Sequence, residues 1–124
     1  MTSREARVFA DDWAAAWNEL AVERILSHFD EAVTFTSPTA AAVVGASTIE
    51  GKAALRHYWT TALARIGALR FEIDRVLWDA GTRELAIIYR STINGQSRRV
   101  SENLTFGANG LVVRAEVFHG VAEP

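Results

Sequence analysis

The sequence predicts an α+β domain in which helices cover one face of a curved antiparallel sheet. Apolar residues recur at helical spacing as far as Gly67, whereas from Leu69 to Gly120 they alternate at strand spacing. Helices and strands are thus segregated along the chain, apart from one short strand between the helices, and such segregation is typical of α+β domains. The chain has 124 residues, 49% of them hydrophobic, so we expect one domain spanning residues 1–124.

The first half of the chain predicts three helices. Thr2 to Glu5 has the sequence of a capping box, and the helix that follows presents Trp13 and Trp17 on one apolar stripe. A second, short helix is expected over 22–29 and a third from 51 to 67, with Tyr58 on its apolar stripe. Between them we expect a strand over 32–37, which Pro38 ends, and a loop over 39–50.

The second half predicts four strands in a meander, with a bulge near Asp74-Arg75 where the alternation shifts by one residue. Asn94-Gly95 is a strong signal for a two-residue hairpin turn, and pairing about it sets Tyr89 opposite Val100 and Ile87 opposite Glu102. The turn at 107–110 is expected to have an even length. The face of Glu102 then continues into these residues of the last strand: Leu111, Val113, Ala115, Val117 and His119.

Glu102 is the most informative residue of this face. It stands in the middle of a strand, in a row with the apolar residues Val100, Leu104 and Phe106. Burial disfavours an ionised carboxylate, so its pKa should rise towards neutrality, as a general acid or base requires. Tyr89 on the same face is a candidate donor to it. His119 is a candidate proton partner, because its ordinary pKa is near neutral, or else a histidine at the rim.

Composition excludes several classes of function. A net charge of −2 and scattered arginines argue against nucleic-acid binding. The absence of cysteine excludes disulfides and thiol catalysis, and no pair of histidines has the spacing of metal ligands, so neither a metal nor another cofactor is expected. We see neither a secretory signal nor a stretch of about 20 apolar residues that would cross a membrane, so we expect a cytoplasmic protein.

The other face of the sheet carries charges. Arg90 and Arg99 are predicted to face each other across the Asn94-Gly95 hairpin, and we expect Glu116 to supply their counter-charge. Phe118 lies on the same face. This mixture of polar and aromatic side chains makes the face a candidate interface for a homodimer that forms through the sheet.

The chain resembles the nuclear transport factor 2-like superfamily and, within it, the SnoaL-like polyketide cyclase and ketosteroid isomerase group. The resemblance covers nearly the whole chain and rests on these segments: 13–18 (WAAAWN), 33–38 (VTFTSP), Gly51 with 58–59 (YW), 101–106 (SENLTF), 109–110 (NG) and 118–120 (FHG). It implies a cone-shaped, cystatin-like domain with a deep apolar pocket between the concave sheet and the helices, commonly dimeric through its sheet.

The resemblance to ketosteroid isomerases is partial at the site residues. Those enzymes place a general-base aspartate immediately before the proline that is Pro38 here, and this chain has Ser37 there. Their oxyanion-hole tyrosine matches Trp13. Their protonated oxyanion-hole acid, a case that is well documented for ketosteroid isomerase, lies on the strand that carries Glu102. One of the three catalytic groups is therefore kept in kind, as a glutamate.

Two hypotheses follow from these residues. The first is a cofactor-independent isomerase, cyclase or lyase that enolises an apolar, ring-containing or polyketide-like carbonyl compound, with Glu102 moving a proton and Tyr89, Tyr58 or His119 stabilising the oxyanion. The second is a non-catalytic module that binds an apolar small molecule or dimerises. In both, the following residues are expected to contact the ligand: Trp13, Trp17, Phe35, Ser37, Tyr58, Ile87, Leu104, Phe106, Ala115 and Val117.

Overall fold

A computed structural model describes residues 1–123 as four helices and one curved, unclosed sheet of six strands. The predicted α+β class is confirmed. The helices are α1 (Ser3–Asn18), α2 (Val22–Leu26), α3 (Pro38–Val44) and α4 (Lys52–Leu63). The strands are β1 (Phe29–Thr36), β2 (Thr48–Glu50), β3 (Leu69–Asp79), β4 (Glu84–Ile93), β5 (Gln96–Phe106) and β6 (Val112–Ala122).

The sheet combines a local meander with one non-local pairing. Its strand order is β2-β1-β6-β5-β4-β3, in which β3 to β6 follow one another as antiparallel neighbours. Strand β1 instead lies parallel to β6, and β2 is antiparallel to β1. The sheet is therefore mixed at this edge: the predicted antiparallel meander is confirmed, and the sequence predicted no partner for the short strand between the helices. The predicted bulge in β3 is confirmed, because the register shifts between Ile73 and Arg75.

Helix α1 covers the concave face of the sheet and is fixed at both ends by side chains. At its start the capping box is complete: the Glu5 amide donates to Thr2 Oγ1 (3.1 Å), and the Thr2 amide donates to Glu5 Oε1 (2.9 Å). At its end Asn18 bonds both backbone groups of Phe71 in β3, at 2.7 Å and 3.1 Å. Since Phe71 lies on the inner face of the sheet, this pair holds an edge strand against the helix.

Several predicted boundaries were wrong. The strand expected over 32–37 is β1, which starts three residues earlier, at Phe29, and ends at Thr36. The second helix ends at Leu26 rather than residue 29, since Phe29 begins β1. The third ends at Leu63, four residues before Gly67. The expected loop over 39–50 contains helix α3 and strand β2. Ser37 caps α3 by accepting from the Thr39 amide (3.2 Å), and Gly45 ends it with a φ of 77°, in the left-handed region that glycine adopts most readily.

The predicted strand pairing is confirmed at one turn of the meander and is partly wrong at the other. Asn94 and Gly95 have φ values of 51° and 82°, as a type I′ turn requires, and Tyr89 pairs with Val100 and Ile87 with Glu102, as predicted. At the other turn the register shifts between Thr105 and Phe106, so that Phe106 pairs with Val112. Val112 is buried there in place of Leu111 and Val113, for which the prediction was wrong. Beyond the shift, Ala115, Val117 and His119 do share the face of Glu102.

None of the helices in the described residues is long and apolar enough to cross a membrane.

Candidate active site

A cavity of about 590 Å³ lies between the concave face of the sheet and the helices. Its size is within the range of sites for drug-sized molecules. Most of its wall is apolar or aromatic, and its ionisable side chains are few. Its wall includes these residues: Trp17, Phe35, Ser37, Tyr58, Trp59, Phe71, Tyr89, Ser91, Arg98, Glu102, Val117 and His119.

Glu102 projects into this cavity from the middle of β5 and is only 5% exposed. The Tyr89 hydroxyl, from the neighbouring strand β4, donates a hydrogen bond of 3.2 Å to Glu102 Oε1. Within residues 1–123 no donor contacts the other carboxyl oxygen and no cation pairs with the group. Burial raises the pKa of Glu102 from 4.5 to about 7, although the bond from Tyr89 acts in the opposite direction. The carboxyl group can therefore both accept and release a proton near neutral pH.

Tyr58 approaches the cavity from helix α4, on the side opposite the sheet. Burial, and secondarily the negative charge of Glu102, raises the pKa of Tyr58 to about 12, so its hydroxyl stays protonated. This hydroxyl bonds to no other group in the described part of the chain. It differs in this respect from the Tyr89 hydroxyl, which is already engaged by Glu102. Tyr58 is thus the tyrosine whose hydrogen is available to a molecule in the cavity.

A second cluster of polar side chains, made of Arg98, Ser91 and His119, lines the cavity further along the strands from Glu102. Arg98 of β5 donates to Nδ1 of His119 at 2.8 Å, and Ser91 of β4 pairs with Arg98 in the strand register. Burial, together with the positive charge of Arg98, lowers the pKa of His119. Arginine can only donate, so Nδ1 accepts and the imidazole is neutral, with its proton on Nε2. No hydrogen bond in residues 1–123 joins His119 to Glu102, its expected proton partner.

The candidate catalytic and ligand-contact residues divide into two groups. The cavity wall contains Trp17, Phe35, Ser37, Tyr58, Tyr89, Glu102, Val117 and His119. The others lie in the core behind or beside the cavity: Trp13, Ile87, Leu104, Phe106 and Ala115. Trp13 stacks on Phe71 (5.6 Å between ring centroids) and packs edge-on against Tyr89 (5.1 Å), so it supports two lining residues without facing the cavity.

Several lining residues were not singled out from the sequence. Trp59 packs against Trp17 and Phe35, and Phe71 closes the wall beside Tyr89. For Arg98 and Ser91 the signal was present, since each lies two residues from a predicted inward-facing residue, Val100 and Tyr89 respectively. Strand parity alone would have placed both of them on the inner face.

The site offers no grouping of ligands that suits a metal ion. Within residues 1–123 no three His, Asp or Glu side chains lie close enough to share one.

The sequence profile of the SnoaL-like domain matches residues 10–117, and the chain therefore belongs to the SnoaL-like family. It is similar to a SnoaL-like protein of unknown function from Burkholderia thailandensis, with 32% identity and a TM-score of 0.87 over 97% of this chain and 98% of that one. No curated protein shows significant similarity to the chain.

Two more distant structures share the fold. A protein of unknown function with a cystatin-like fold from Methylobium petroleophilum is 22% identical, with a TM-score of 0.79 over 100% of this chain and 81% of that one. The BvnE pinacolase from Penicillium brevicompactum is 19% identical, with a TM-score of 0.75 over 95% and 88% of the two chains. The resemblance inferred from the sequence is confirmed at the level of family and fold.

Proposed function

We propose that the cavity binds an apolar, ring-containing carbonyl compound and catalyses its enolisation, as an isomerase or cyclase of the SnoaL-like and ketosteroid isomerase-like type. The observation that supports this most is Glu102, a carboxyl group at the cavity wall with a pKa of about 7 and one oxygen free of hydrogen bonds to residues 1–123. A base of this kind is half ionised at neutral pH, where it is able to remove a proton and return it.

The proton transfer follows from the positions of three side chains. The Glu102 carboxylate removes a proton from the carbon next to the carbonyl group, and the electron pair of the broken C–H bond moves into an enolate. Tyr58 donates a hydrogen bond to the enolate oxygen, where the negative charge develops. Tyr89 holds Glu102 in place and favours its ionised form. Protonated Glu102 then returns the proton to the same carbon or to a conjugated one, which gives exchange or isomerisation respectively.

Ser37 supports the alternative, a pocket that binds its ligand without turnover. Ketosteroid isomerases have an aspartate base at this position, whereas Ser37 is 4% exposed and its hydroxyl caps α3. If the protein is an enzyme, Glu102 must therefore act as the base. If Glu102 only orients a bound molecule, the same geometry belongs to a binding protein.

Solvent deuterium exchange distinguishes the two functions. The wild-type protein is incubated in D₂O with a panel of cyclic and polyketide-like ketones, and loss of the α-proton signals is followed by NMR. We expect protein-dependent exchange that falls at least about a hundredfold in Glu102→Gln, which keeps the size of the side chain but cannot accept the proton. Glu116→Gln, on the exposed face of β6, is the control and should exchange at the wild-type rate. Ligands that bind without exchange would contradict enolisation and favour the binding function.

We also propose that the chain forms a homodimer through the outer face of its sheet. Phe118 supports this proposal, because it is 54% exposed in the middle of a strand, on the face opposite the cavity. Sedimentation equilibrium of the wild type and of Phe118→Arg tests it: a dimer that the substitution dissociates is expected, and a monomeric wild type would contradict it.

A further inference from the structure

The outer end of the cavity has the features of an anion site. Three adjacent strands each contribute one polar side chain to it: Ser91 from β4, Arg98 from β5 and His119 from β6. Ser91 pairs with Arg98 in register, and the Arg98 guanidinium contacts the imidazole of His119 at 2.8 Å. All three line the same cavity as Glu102, so a single ligand can contact both ends.

Arg98 has no anionic partner among residues 1–123. Its side-chain hydrogen bond goes to a neutral imidazole, and Glu102 is the only acidic residue in the cavity lining. The two outer-face arginines of β4 and β5 differ, because Arg90 binds Glu123 and Arg99 binds Asp74. A guanidinium has five N–H donors, so Arg98 retains donors for a carboxylate and fits its two oxygens in a bidentate geometry.

The other two side chains add donors of the same kind. His119 accepts from Arg98 through Nδ1, which leaves its proton on Nε2, and no residue in 1–123 accepts that proton. The Ser91 hydroxyl likewise bonds no other side chain or backbone group in this range, although the residue is only 8% exposed. One cation and two neutral donors therefore line a partly buried wall on which Glu102 provides the only acidic group.

We propose that the ligand is an amphipathic organic acid: an apolar ring system with an enolisable carbonyl group at one end, at Glu102, and a carboxylate at the other end, bound by Arg98, Ser91 and His119. The inference of a carbonyl group depends on the enolisation proposed above. The inference of a carboxylate depends only on the cluster of Arg98, Ser91 and His119. Four residues of strand separate Arg98 from Glu102, which puts their Cα atoms about 13 Å apart. Val100, which pairs with His119, lies two residues or about 7 Å from Glu102, so the polar side chains start about 7 to 13 Å along the strand from Glu102 and leave room for a one-ring or two-ring body.

A rigid ligand with both groups tests this proposal. The probe is 4′-acetylbiphenyl-4-carboxylate, which has a methyl ketone and a carboxylate at opposite ends of two rings, and its methyl ester is the neutral counterpart. Binding of each is measured by ligand-observed NMR titration with the wild type, Arg98→Gln and Arg99→Gln. Arg99 is the matched control, since it follows Arg98 in β5 but points to the outer face, where it pairs with Asp74 at 2.6 Å.

The wild type and Arg99→Gln should bind the acid at least about tenfold more tightly than the ester, as expected for a hydrogen-bonded charge pair. In Arg98→Gln the two affinities should become equal, through weaker binding of the acid and unchanged binding of the ester. Equal affinities in the wild type, or a preference for the acid that survives in Arg98→Gln, would overturn the proposal.

The same samples separate this proposal from the enolisation mechanism. Deuterium exchange of the acetyl group reports on Glu102, and the ratio of acid to ester affinity reports on Arg98. A preference for the acid that depends on Arg98, without exchange, supports the anion site and contradicts enolisation. Exchange of both compounds without any preference for the acid supports enolisation and overturns the anion site.

Discussion

The arginines of β4 and β5 differ between the two faces of the sheet in whether they meet a partner of opposite charge. On the outer face Arg99 binds Asp74, and Arg90 binds Glu123 through two hydrogen bonds of 2.9 Å and 3.1 Å. On the inner face, Arg98 and Glu102 lack a partner of opposite charge in residues 1–123. Arg98 and Arg99 are neighbours in β5, so their different pairing arises from the face on which each lies and not from the local sequence.

The paired arginines of the outer face are engaged within the protein, whereas the unpaired charged groups of the inner face are available to a ligand. Exposed pairs are solvated whether or not they meet, and they contribute little to stability. Ionising a buried carboxyl group that has no cation beside it is costly, and for this reason the pKa of Glu102 rises to about 7. Asp74 shows the opposite shift, because its hydrogen bond with Arg99 holds the pKa of Asp74 below its ordinary value. Groups kept in such an unfavourable setting are candidates for function.

The largest effect is expected from the two tyrosines of the inner face. Tyr58→Phe removes the donor for the enolate oxygen and should slow exchange by about a hundredfold. Tyr89→Phe removes the bond that favours the Glu102 carboxylate, so the midpoint of the pH–rate profile should move upwards. Exchange measured from pH 5 to 9 separates the effects. A Tyr58→Phe variant with the wild-type rate would exclude this tyrosine as the oxyanion donor.

A second prediction uses stability instead of activity. The native pKa of Glu102 is raised from 4.5 to about 7, so the native state binds more protons than the unfolded state between these values, and stability falls as the pH rises through them. Above pH 7 the ionised native state is penalised by about 3 kcal/mol. Glu102→Gln should therefore gain about that much relative to the wild type between pH 4.5 and 9, as measured by urea unfolding.

Glu116→Gln is the control for this prediction, because it removes a carboxylate from the exposed face of the neighbouring strand. It should show no comparable gain with pH. If the two variants behaved alike, the effect would come from net charge and not from burial.

The smallest effect is expected on the outer face. Asp74 pairs with Arg75 (2.7 Å) and Arg99 (2.6 Å), and all three side chains are well exposed. Asp74→Asn should therefore leave the exchange rate and the preference for the acid unchanged, with a barely measurable change in urea unfolding. A loss of exchange in this variant would show that the two faces are coupled, whereas we expect them to act independently.

The parts of the fold that depend on local signals were predictable. Asn94-Gly95 fixed the register of β4 and β5, because few other sequences adopt both positive φ values, and this register placed Tyr89 beside Glu102. Helix α3 was missed although Ser37-Pro38 and Gly45 are cap signals, since its residues between are small and lack a polar face.

Other features depend on contacts between distant segments. The parallel pairing of β1 with β6 and the register shift at Phe106 have no local signature. The expected counter-charge Glu116 was wrong for a related reason: Glu123 and Asp74 reach the two arginines instead, the first from beyond the end of β6 and the second from the bulge in β3. Strand parity gives the face of a charge but not which opposite charge will reach it.

The proposed proton transfer depends on the unusual pKa of Glu102, and titration of this carboxyl group measures that pKa directly. The side-chain carboxyl ¹³C shift is followed by NMR across pH 3 to 10, with the resonance assigned through Glu102→Gln. We expect a midpoint near 7, which should rise in Tyr89→Phe. A midpoint near 4.5, the ordinary value for a solvated glutamate, would contradict the proposed mechanism, because Glu102 would then be almost fully ionised at neutral pH.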